Sequence, residues 1–386
     1  MRVCLVYDCL FPYTVGGGER WYRNLAERLA AEGHEVDYVT LRQWARHERG
    51  EAGAGVNVVT VGPRMRLYGR DGRRRILPPL VFGAGVLWHL LRRGRRYEVV
   101  DTSAFPYFSL LAAALVRPLM GYRLVVDWFE VWSDSYWREY LGRVGWVGML
   151  VQRLCARVPQ HAFCLSQMHA RRLEGEGLRG QVTVLRGLYP DPSMSEPPVA
   201  AADPVVLFAG RLIPEKRVTL AVAAIAAAAR RDPELRGVVL GDGPDRQALI
   251  EAIASCGLDG RVQAGGFASA EELDERMRSA LCLLVTSRRE GYGLVVVEAA
   301  AHGTPSVVVA GEDNAATELI EEGVNGTVAV ADDPDTIAEA ILRVRDAGLA
   351  MRERTAEWFA RNAHTLSLES SLEKVLAAYA RDIVRS

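Results

Sequence analysis

Short apolar runs alternate with amphipathic stretches along this chain, and their lengths set the elements they predict. Arg2-Val3-Cys4-Leu5-Val6-Tyr7 has the composition and length of a buried strand. After the turn-forming stretch Phe11 to Arg20, Leu25, Ala26, Leu29 and Ala30 fall on one face of a helix over Trp21 to Glu32, which Gly33 closes. Val36 to Thr40 is a second strand, and this strand–helix–strand opening predicts a parallel sheet. Tyr97 to Asp101, Arg123 to Asp127, Ala162 to Ser166 and Val182 to Leu185 read as further strands of the same half.

The pattern then stops and restarts. Asp191 to Pro204 is rich in proline and small residues and reads as a linker. Val205 to Ala209 is a strand, Val218 to Arg230 an alanine-rich helix, and Val238 to Leu240 a strand, followed by Gly241-Asp242-Gly243-Pro244 and a helix from Asp245. A short strand and turn over Arg261 to Phe267, a helix over 270–279 and a strand over 281–286 come next. Ser306 to Val309 and Thr327 to Val330 are strands, Asn314 to Glu321 a helix, and helices run to the end. The fold class is α/β: two Rossmann-like, doubly wound parallel-sheet domains facing a cleft. Their expected bounds are 1–195 and 204–365, with a helix over 366–386 packing back toward the first.

The stretch Arg289 to Ala301 organises the second half. It follows a strand, carries Gly291 and Gly293, and continues into a run that can become helix. Glycines let backbone approach a ligand closely, and a helix start offers unpaired N–H groups to an anion. With a helix beginning near Leu294, Glu298 sits about one turn in. A carboxylate there suits a neutral diol such as a ribose and repels a phosphate.

Composition narrows the class. At 386 residues, 49% hydrophobic and 25% charged, the chain is an ordinary globular one with room for two or three domains. No run reaches the roughly 18 apolar residues that a membrane span needs, and the N-terminal residues read as a strand, without a signal peptide's layout. The six cysteines show no metal-ligand spacing; Cys4, Cys164 and Cys282 lie in strands as buried thiols, which suits a reducing cytoplasm. A net charge of −1 hides an asymmetry: residues 1–191 hold 27 arginines against 18 acidic residues, and the remainder is acidic. Either the first half meets an anionic partner or the halves attract each other. Only two lysines, Lys216 and Lys374, stand among 45 arginines, which singles out Lys216.

Several stretches carry candidate chemistry. Gly16-Gly17-Gly18 before a helix offers backbone donors to a phosphate or sugar, or is simply a flexible turn. It is not GxGxxG, and the second strand ends Val39-Thr40-Leu41-Arg42 with no acid for a ribose; both features disfavour a nicotinamide dinucleotide. Arginines 64, 66, 70, 73, 74 and 75 and a second cluster at 92, 93, 95 and 96 flank the apolar segment 76–91. The whole 64–96 region is either a membrane-surface patch or a solvated loop leading to a core helix. Trp128 to Trp137 follows a strand's C-terminal end, where ligands bind in parallel sheets; Trp128 reads as core, and Trp132 and Trp137 as lining the crevice. In the second half, Arg211 and Lys216 follow one strand end and Gly291 to Leu294 another. Those ends share one edge of a parallel sheet, so these groups can converge on a diphosphate.

Gly16-Gly17-Gly18-Glu19, Gly210-Arg211-Leu212 with Lys216, Gly241-Asp242-Gly243-Pro244, the two glutamates Glu290 and Glu298 eight apart, and Gly323-Val324-Asn325-Gly326 resemble retaining glycosyltransferases of family 4, group 1, with the GT-B fold. The resemblance covers nearly the whole chain. It implies transfer of a sugar from a nucleotide diphosphate sugar, UDP- or GDP-linked, to an unidentified acceptor: a small molecule, a glycan or a lipid-linked sugar. Arg211 and Lys216 would stabilise the leaving diphosphate, Glu290 would face the sugar, and Glu298 would hold the ribose. Gly16, Gly17, Gly210, Gly291, Tyr292, Gly293, Leu294 and Val295 would line the donor. Gly241, Gly243, Arg261, Gly266 and Phe267 would lie on the base side, and Asp127, Phe129, Glu130 and Trp132 toward the acceptor. The family implies no metal and no cofactor, and no nucleic acid partner is expected. The location expected is cytoplasmic; peripheral contact at the inner membrane face is the alternative that the 64–96 region leaves open.

Two positions depart from the family pattern. Phe129 stands where related sequences carry a histidine, which puts the donor sugar in question. Arg186-Gly187 replaces an Asn-Gly pair. Same-face, ion-pair-like displacement is the expected retaining route, since no nucleophile is evident. Other readings are a nucleotide-sugar epimerase or a phosphorylase of the same fold, or a non-catalytic sugar-nucleotide binding protein; the last would be expected to lack one of Arg211, Lys216 or Glu290.

Overall fold

The computed structural model describes residues 1–45, 47–48, 50–67, 69, 74–190 and 199–380. Two compact units divide the chain: Met1–Leu185 with the chain from Ser371 on, and Arg186–Ser370. The linker read over 191–204 falls outside the described residues up to 198, as do Arg70, Arg73 and the last six positions.

The first unit is a parallel seven-stranded sheet. Its strands are β1 (Arg2–Val6), β2 (Glu35–Thr40), β3 (Val56–Thr60), β4 (Val99–Ser103), β5 (Arg123–Trp128), β6 (Pro159–Cys164) and β7 (Arg179–Val184), in the order β3-β2-β1-β4-β5-β6-β7. Leu5 of β1 lies opposite Tyr38 on one side and Asp101 on the other. The crossovers carry α1 (Gly17–Ala31), α2 (Leu77–Arg93), α3 (Phe108–Met120), α4 (Asp134–Leu141), α5 (Gly145–Ala156) and α6 (Gln167–Gly175). The central strands read as apolar runs because helices cover both faces. The sequence pattern does not announce β3, an edge strand whose side chains are at most half-buried.

The second unit has six strands in its main sheet, in the order β10-β9-β8-β11-β13-β15. They are β8 (Val205–Ala209), β9 (Arg236–Leu240), β10 (Val262–Gly266), β11 (Cys282–Val285), β13 (Ser306–Val309) and β15 (Gly326–Ala329); the two-residue strands β12 (Arg289–Glu290) and β14 (Asp313–Asn314) pair beside it. Around them pack α7 (Val218–Arg231), α8 (Arg246–Ser255), α9 (Ala270–Ser279), α10 (Leu294–Ala300) and α11 (Pro334–Leu366), which is broken at Gly348. Helix α12 (Leu368–Ala380) begins in this unit, and its residues from Ser371 on belong to the first.

Two expectations need correction. Asn314 to Glu321 is not an α-helix. Only Ala315–Leu319 turns, as a 3-10 helix, because the Asn314 amide donates to the Ser287 and Val309 carbonyls and its oxygen accepts from the Ala316 N–H. That side chain competes for the backbone groups that a helix would use. Trp132 and Trp137 do not stand open in a crevice. They are 7% and 4% exposed and stack within an aromatic cluster with Tyr136 and Tyr140. Gln152 of α5 accepts from the Trp137 indole at 3.2 Å and the Trp132 amide at 3.1 Å, so both are satisfied inside the fold.

Inside the first unit, Asp101 is fully buried and accepts from the Tyr22 hydroxyl at 3.3 Å and from Tyr379 of α12. Burial pushes its carboxyl up to about 6, while the hydrogen bonds from Tyr379 and Tyr22 act the other way. Asp127 is also pushed up, by burial first and by the Asp101 charge beside it. A carboxyl raised on folding binds more protons folded than unfolded between its two pKa values. Asp101 therefore favours the fold fully below its unfolded value of about 4, and that contribution is lost as pH rises through about 6. We expect the stability of Asp101→Asn, relative to the parent, to improve by about 1–3 kcal/mol between pH 5 and pH 8. Urea unfolding read by tryptophan fluorescence measures this, since seven of the eight tryptophans lie before residue 185. Parallel pH profiles for the two proteins would refute it.

Candidate active site

The ends of β8, β9 and β10 are stitched together by backbone. The Gly210 N–H donates to the Leu240 carbonyl at 3.0 Å, the Gly241 N–H to Gly266 at 2.6 Å, and the Leu212 N–H to Asp242 at 2.9 Å. Gly210, Gly241, Gly243 and Gly266, all expected around one ligand, thus meet at one edge of the sheet. Gly241 is required there: its φ is +139°, and a Cβ would stand 1.8 Å from the Gly210 carbonyl oxygen. Phe267 is 89% exposed, an aromatic face open to solvent at the same edge. Arg261, expected beside it, is not there: it precedes β10, and its carbonyl accepts from the Gly237 N–H near the start of β9, so it lies at the opposite end of these parallel strands.

After Gly210 the chain exposes Arg211, then forms a 3-10 turn over Pro214–Lys216. The turn aims the Lys216 ammonium at the Glu290 carboxylate, with which it pairs. The two side chains are 22% and 16% exposed, so solvent screens the pair only partly. The Ser287 hydroxyl also donates to Glu290, at 3.2 Å. Thr286 fixes the turn from the neighbouring strand end: its hydroxyl donates to the Lys216 carbonyl at 2.8 Å, while the Arg217 guanidinium donates to the Thr286 carbonyl at 2.8 Å. Arg217 holds a left-handed conformation, φ +49°, to make this exchange. Sequence reasoning missed Thr286, Ser287 and Arg217; two hydroxyls straight after a buried strand were the signal available.

Glu290 lies in β12, paired with β14 so that it stands opposite Asn314. Tyr292 is buried, and its hydroxyl donates to the Arg186 carbonyl; it braces the loop, and burial pushes its phenol well up. Gly291 and Tyr292 lead to Gly293, the cap of α10, with φ +97° and Ala316 where a Cβ would go. Leu294 opens the helix as expected, Val295 follows half-buried, and Glu298 sits half-buried one turn in. At seven residues, α10 is under two turns, so its dipole is modest.

The first unit places its expected residues differently. Gly16 caps α1 in extended backbone and Gly17 begins the helix. Phe129 is half-buried, edge-on to Tyr7 and Tyr22. Glu130 accepts from the Trp132 indole at 2.8 Å. Asp127 is 1% exposed and accepts from the Trp21 indole at 2.8 Å, so it is an interior group and does not line a surface.

Comparison with known proteins matches two family models: glycosyl transferases group 1 over residues 193–360, and a glycosyl transferase 4-like domain over residues 16–187. An alpha-D-kanosaminyltransferase of Streptomyces kanamyceticus is 34% identical over 154 residues, 40% of this chain and 39% of the relative. A D-inositol 3-phosphate glycosyltransferase of a Nocardioides species is 32% identical over 192 residues, 46% of this chain and 41% of that protein. The chain thus spans about two fifths of the length of the curated relatives it matches. Among solved structures, sucrose-phosphate synthase from Thermosynechococcus elongatus superimposes with a TM-score of 0.77 at 19% identity, covering 100% of both chains. HepE from Anabaena, solved with UDP, gives 0.72 at 18% identity over 98% of this chain and 99% of its own. At that identity these two structures speak for the fold. With two parallel-sheet units and family matches that between them run from residue 16 to residue 360, the chain belongs to the group 1 glycosyltransferases of the family 4 type, with the GT-B fold.

Proposed function

We propose that this protein transfers a sugar from a nucleotide diphosphate sugar to an acceptor with retention at the anomeric carbon, and that it does so without a metal. The observation that carries the reading is the Lys216–Glu290 pair, set beside exposed Arg211 at an edge crowded with glycine backbone. A lysine and an exposed arginine on one loop suit a diphosphate, Arg as a fork and Lys as a point charge. On donor binding the diphosphate takes over Lys216, and the released Glu290 carboxylate faces the sugar. As the glycosidic C–O bond breaks, negative charge grows on the departing phosphate, where Arg211, Lys216 and the amides from Gly291 to Leu294 stabilise it. Glu298 accepts from the ribose hydroxyls. Gly241, Gly243 and Gly266 border the base, and exposed Phe267 offers it an apolar face.

UDP is the favoured diphosphate, since HepE, a structural neighbour, was solved with UDP and with UDP-glucose. The acceptor side falls to the first unit, where Gly16, Gly17, Phe129 and Glu130 are the residues with surface to offer; Asp127 and Trp132 support them from the interior. Attack on the face the diphosphate leaves, through a short-lived ion pair, accounts for retention without a protein nucleophile.

A thermal-shift screen of nucleotide sugars tests this, because a ligand that binds only the folded state stabilises it, by about 2.7 kcal/mol at a hundred times its Kd. One UDP- or GDP-sugar should raise the melting temperature, with chelator present or absent. Glu298→Ala should weaken that donor about tenfold or more, the cost of a lost charge-assisted hydrogen bond. A parent protein indifferent to every donor would refute the proposal. Sugar product formed without acceptor would instead indicate an epimerase.

A further inference from the structure

We infer that one helix layer of the first unit docks onto an anionic lipid surface. The large apolar side chains that this protein leaves exposed are concentrated there. On α2, Leu77, Leu80, Trp88 and Leu91 are 44–61% exposed and spaced to form one outward stripe. On α5, Trp146, Val147, Leu150 and Leu154 do the same at 40–60%, and α3 adds Leu115 and Leu119 at 68% and 65%.

These helices share a face of the sheet. Along the order β3-β2-β1-β4-β5-β6-β7, α2 joins β3 to β4, α3 joins β4 to β5, and α5 lies between β5 and β6. All three connections run the same way across the sheet, so right-handed crossover puts them on the same side. α1, joining β1 to β2, runs the other way and covers the opposite side, where Tyr22 reaches Asp101. Exposed apolar stripes on one side of a sheet, two of them on helices packed together, mark an interaction surface.

Charge selects the occupant. From Ala52 to Tyr97 the sequence holds ten arginines and one acidic residue, Asp71; of the ten, Arg74 is turned inward and paired with buried Asp8. Arg75, Arg92, Arg93 and Arg95 are exposed at the two ends of α2, and the Arg92 guanidinium lies over the Trp88 ring at 4.0 Å. On the α5 side Arg143 and Arg157 are exposed, and Arg153 pairs with Asp134 at 3.6 Å and Glu176 at 2.8 Å. Two copies meeting through this face would set arginine against arginine. An anionic bilayer offers phosphates to the arginines and acyl chains to the leucines and tryptophans. No helix among the described residues is long and apolar enough to cross a membrane, so the contact is peripheral.

The test uses vesicles and needs neither donor nor acceptor. The parent protein should co-sediment with phosphatidylcholine vesicles containing phosphatidylglycerol, and high salt should release it. Pure phosphatidylcholine should hold it far more weakly. Trp88→Glu with Leu150→Glu, and separately Arg92→Gln with Arg93→Gln and Arg95→Gln, should each weaken binding about tenfold or more. Circular dichroism checks folding, and the arginine variant decides alone if the glutamate variant does not fold. Equal binding to both vesicle types, binding unchanged in the arginine variant, or a dimer with no vesicle binding would each overturn the inference.

Discussion

Lys216→Ala is expected to cut kcat and kcat/KM together, by about a hundred- to a thousandfold, the usual cost of losing a preorganised group at developing charge. In the proposed reaction the ammonium would reach the leaving phosphate as a near-point charge on a fixed turn. Thr286 and Arg217 lock that turn through its carbonyls, so its position does not depend on the donor. Lys216→Arg should not restore activity, because a longer planar fork cannot occupy the place of an ammonium paired to Glu290. Removing the lysine also leaves Glu290, 16% exposed, with Ser287 as its hydrogen-bond donor at 3.2 Å. We therefore expect some loss of stability in the second unit, about 1–3 kcal/mol, which Lys216→Ala with Glu290→Gln should largely recover while activity stays low. That split between stability and turnover separates a role at the phosphate from a merely structural ion pair. Transfer within threefold of the parent would remove Lys216 from the mechanism.

The sheets were legible because parallel strands buried on both faces are continuous apolar runs. Val205 to Ala209 reads as a strand, and β8 has those same ends. The loop residues of the second unit were legible as candidates, and so was their sharing of one sheet edge, but the direct pairing of two of them was not. Lys216 and Glu290 are 74 positions apart, and nothing local says that one turn points at the other. The aromatic stretch after β5 misleads for the same reason. Trp132 and Trp137 follow a strand end, where exposed side chains meet ligands, yet Gln152 from α5 satisfies them inside the fold. Asp127 shares that position and is sealed in by Trp21 of α1. Position along the chain indicates which edge a residue is near; only packing from distant helices decides whether it is covered. Asn314 shows the converse, where a local side-chain contact overrides a plausible helix pattern.

Gly241→Ala carries the second large expected effect, on the whole donor edge at once. An alanine Cβ would stand 1.8 Å from the Gly210 carbonyl oxygen and 2.9 Å from its carbon. Both are backbone atoms, so no rotamer relieves the clash. The residue's φ of +139° lies in a region that side chains disfavour, which adds a backbone cost of its own. The exits of β8 and β9 must part, and with them go the hydrogen bonds from Gly210 to Leu240 and from Gly241 to Gly266. We expect the second unit to lose about 3 kcal/mol or more, and the donor to bind at least about tenfold more weakly. Gly257→Ala is the control, because Gly257 also has positive φ, +67°, but nothing lies within 4 Å of its Cβ position. It should cost about 1–2 kcal/mol, the price of the left-handed conformation alone, with donor affinity unchanged. Calorimetric titration with the donor and urea unfolding followed by circular dichroism read the two effects separately. Tryptophan fluorescence, dominated by the first unit, should report its transition little moved. If Gly241→Ala matched Gly257→Ala in both affinity and stability, the convergence of these loops on one ligand would have no energetic content, and the donor site would have to be sought elsewhere.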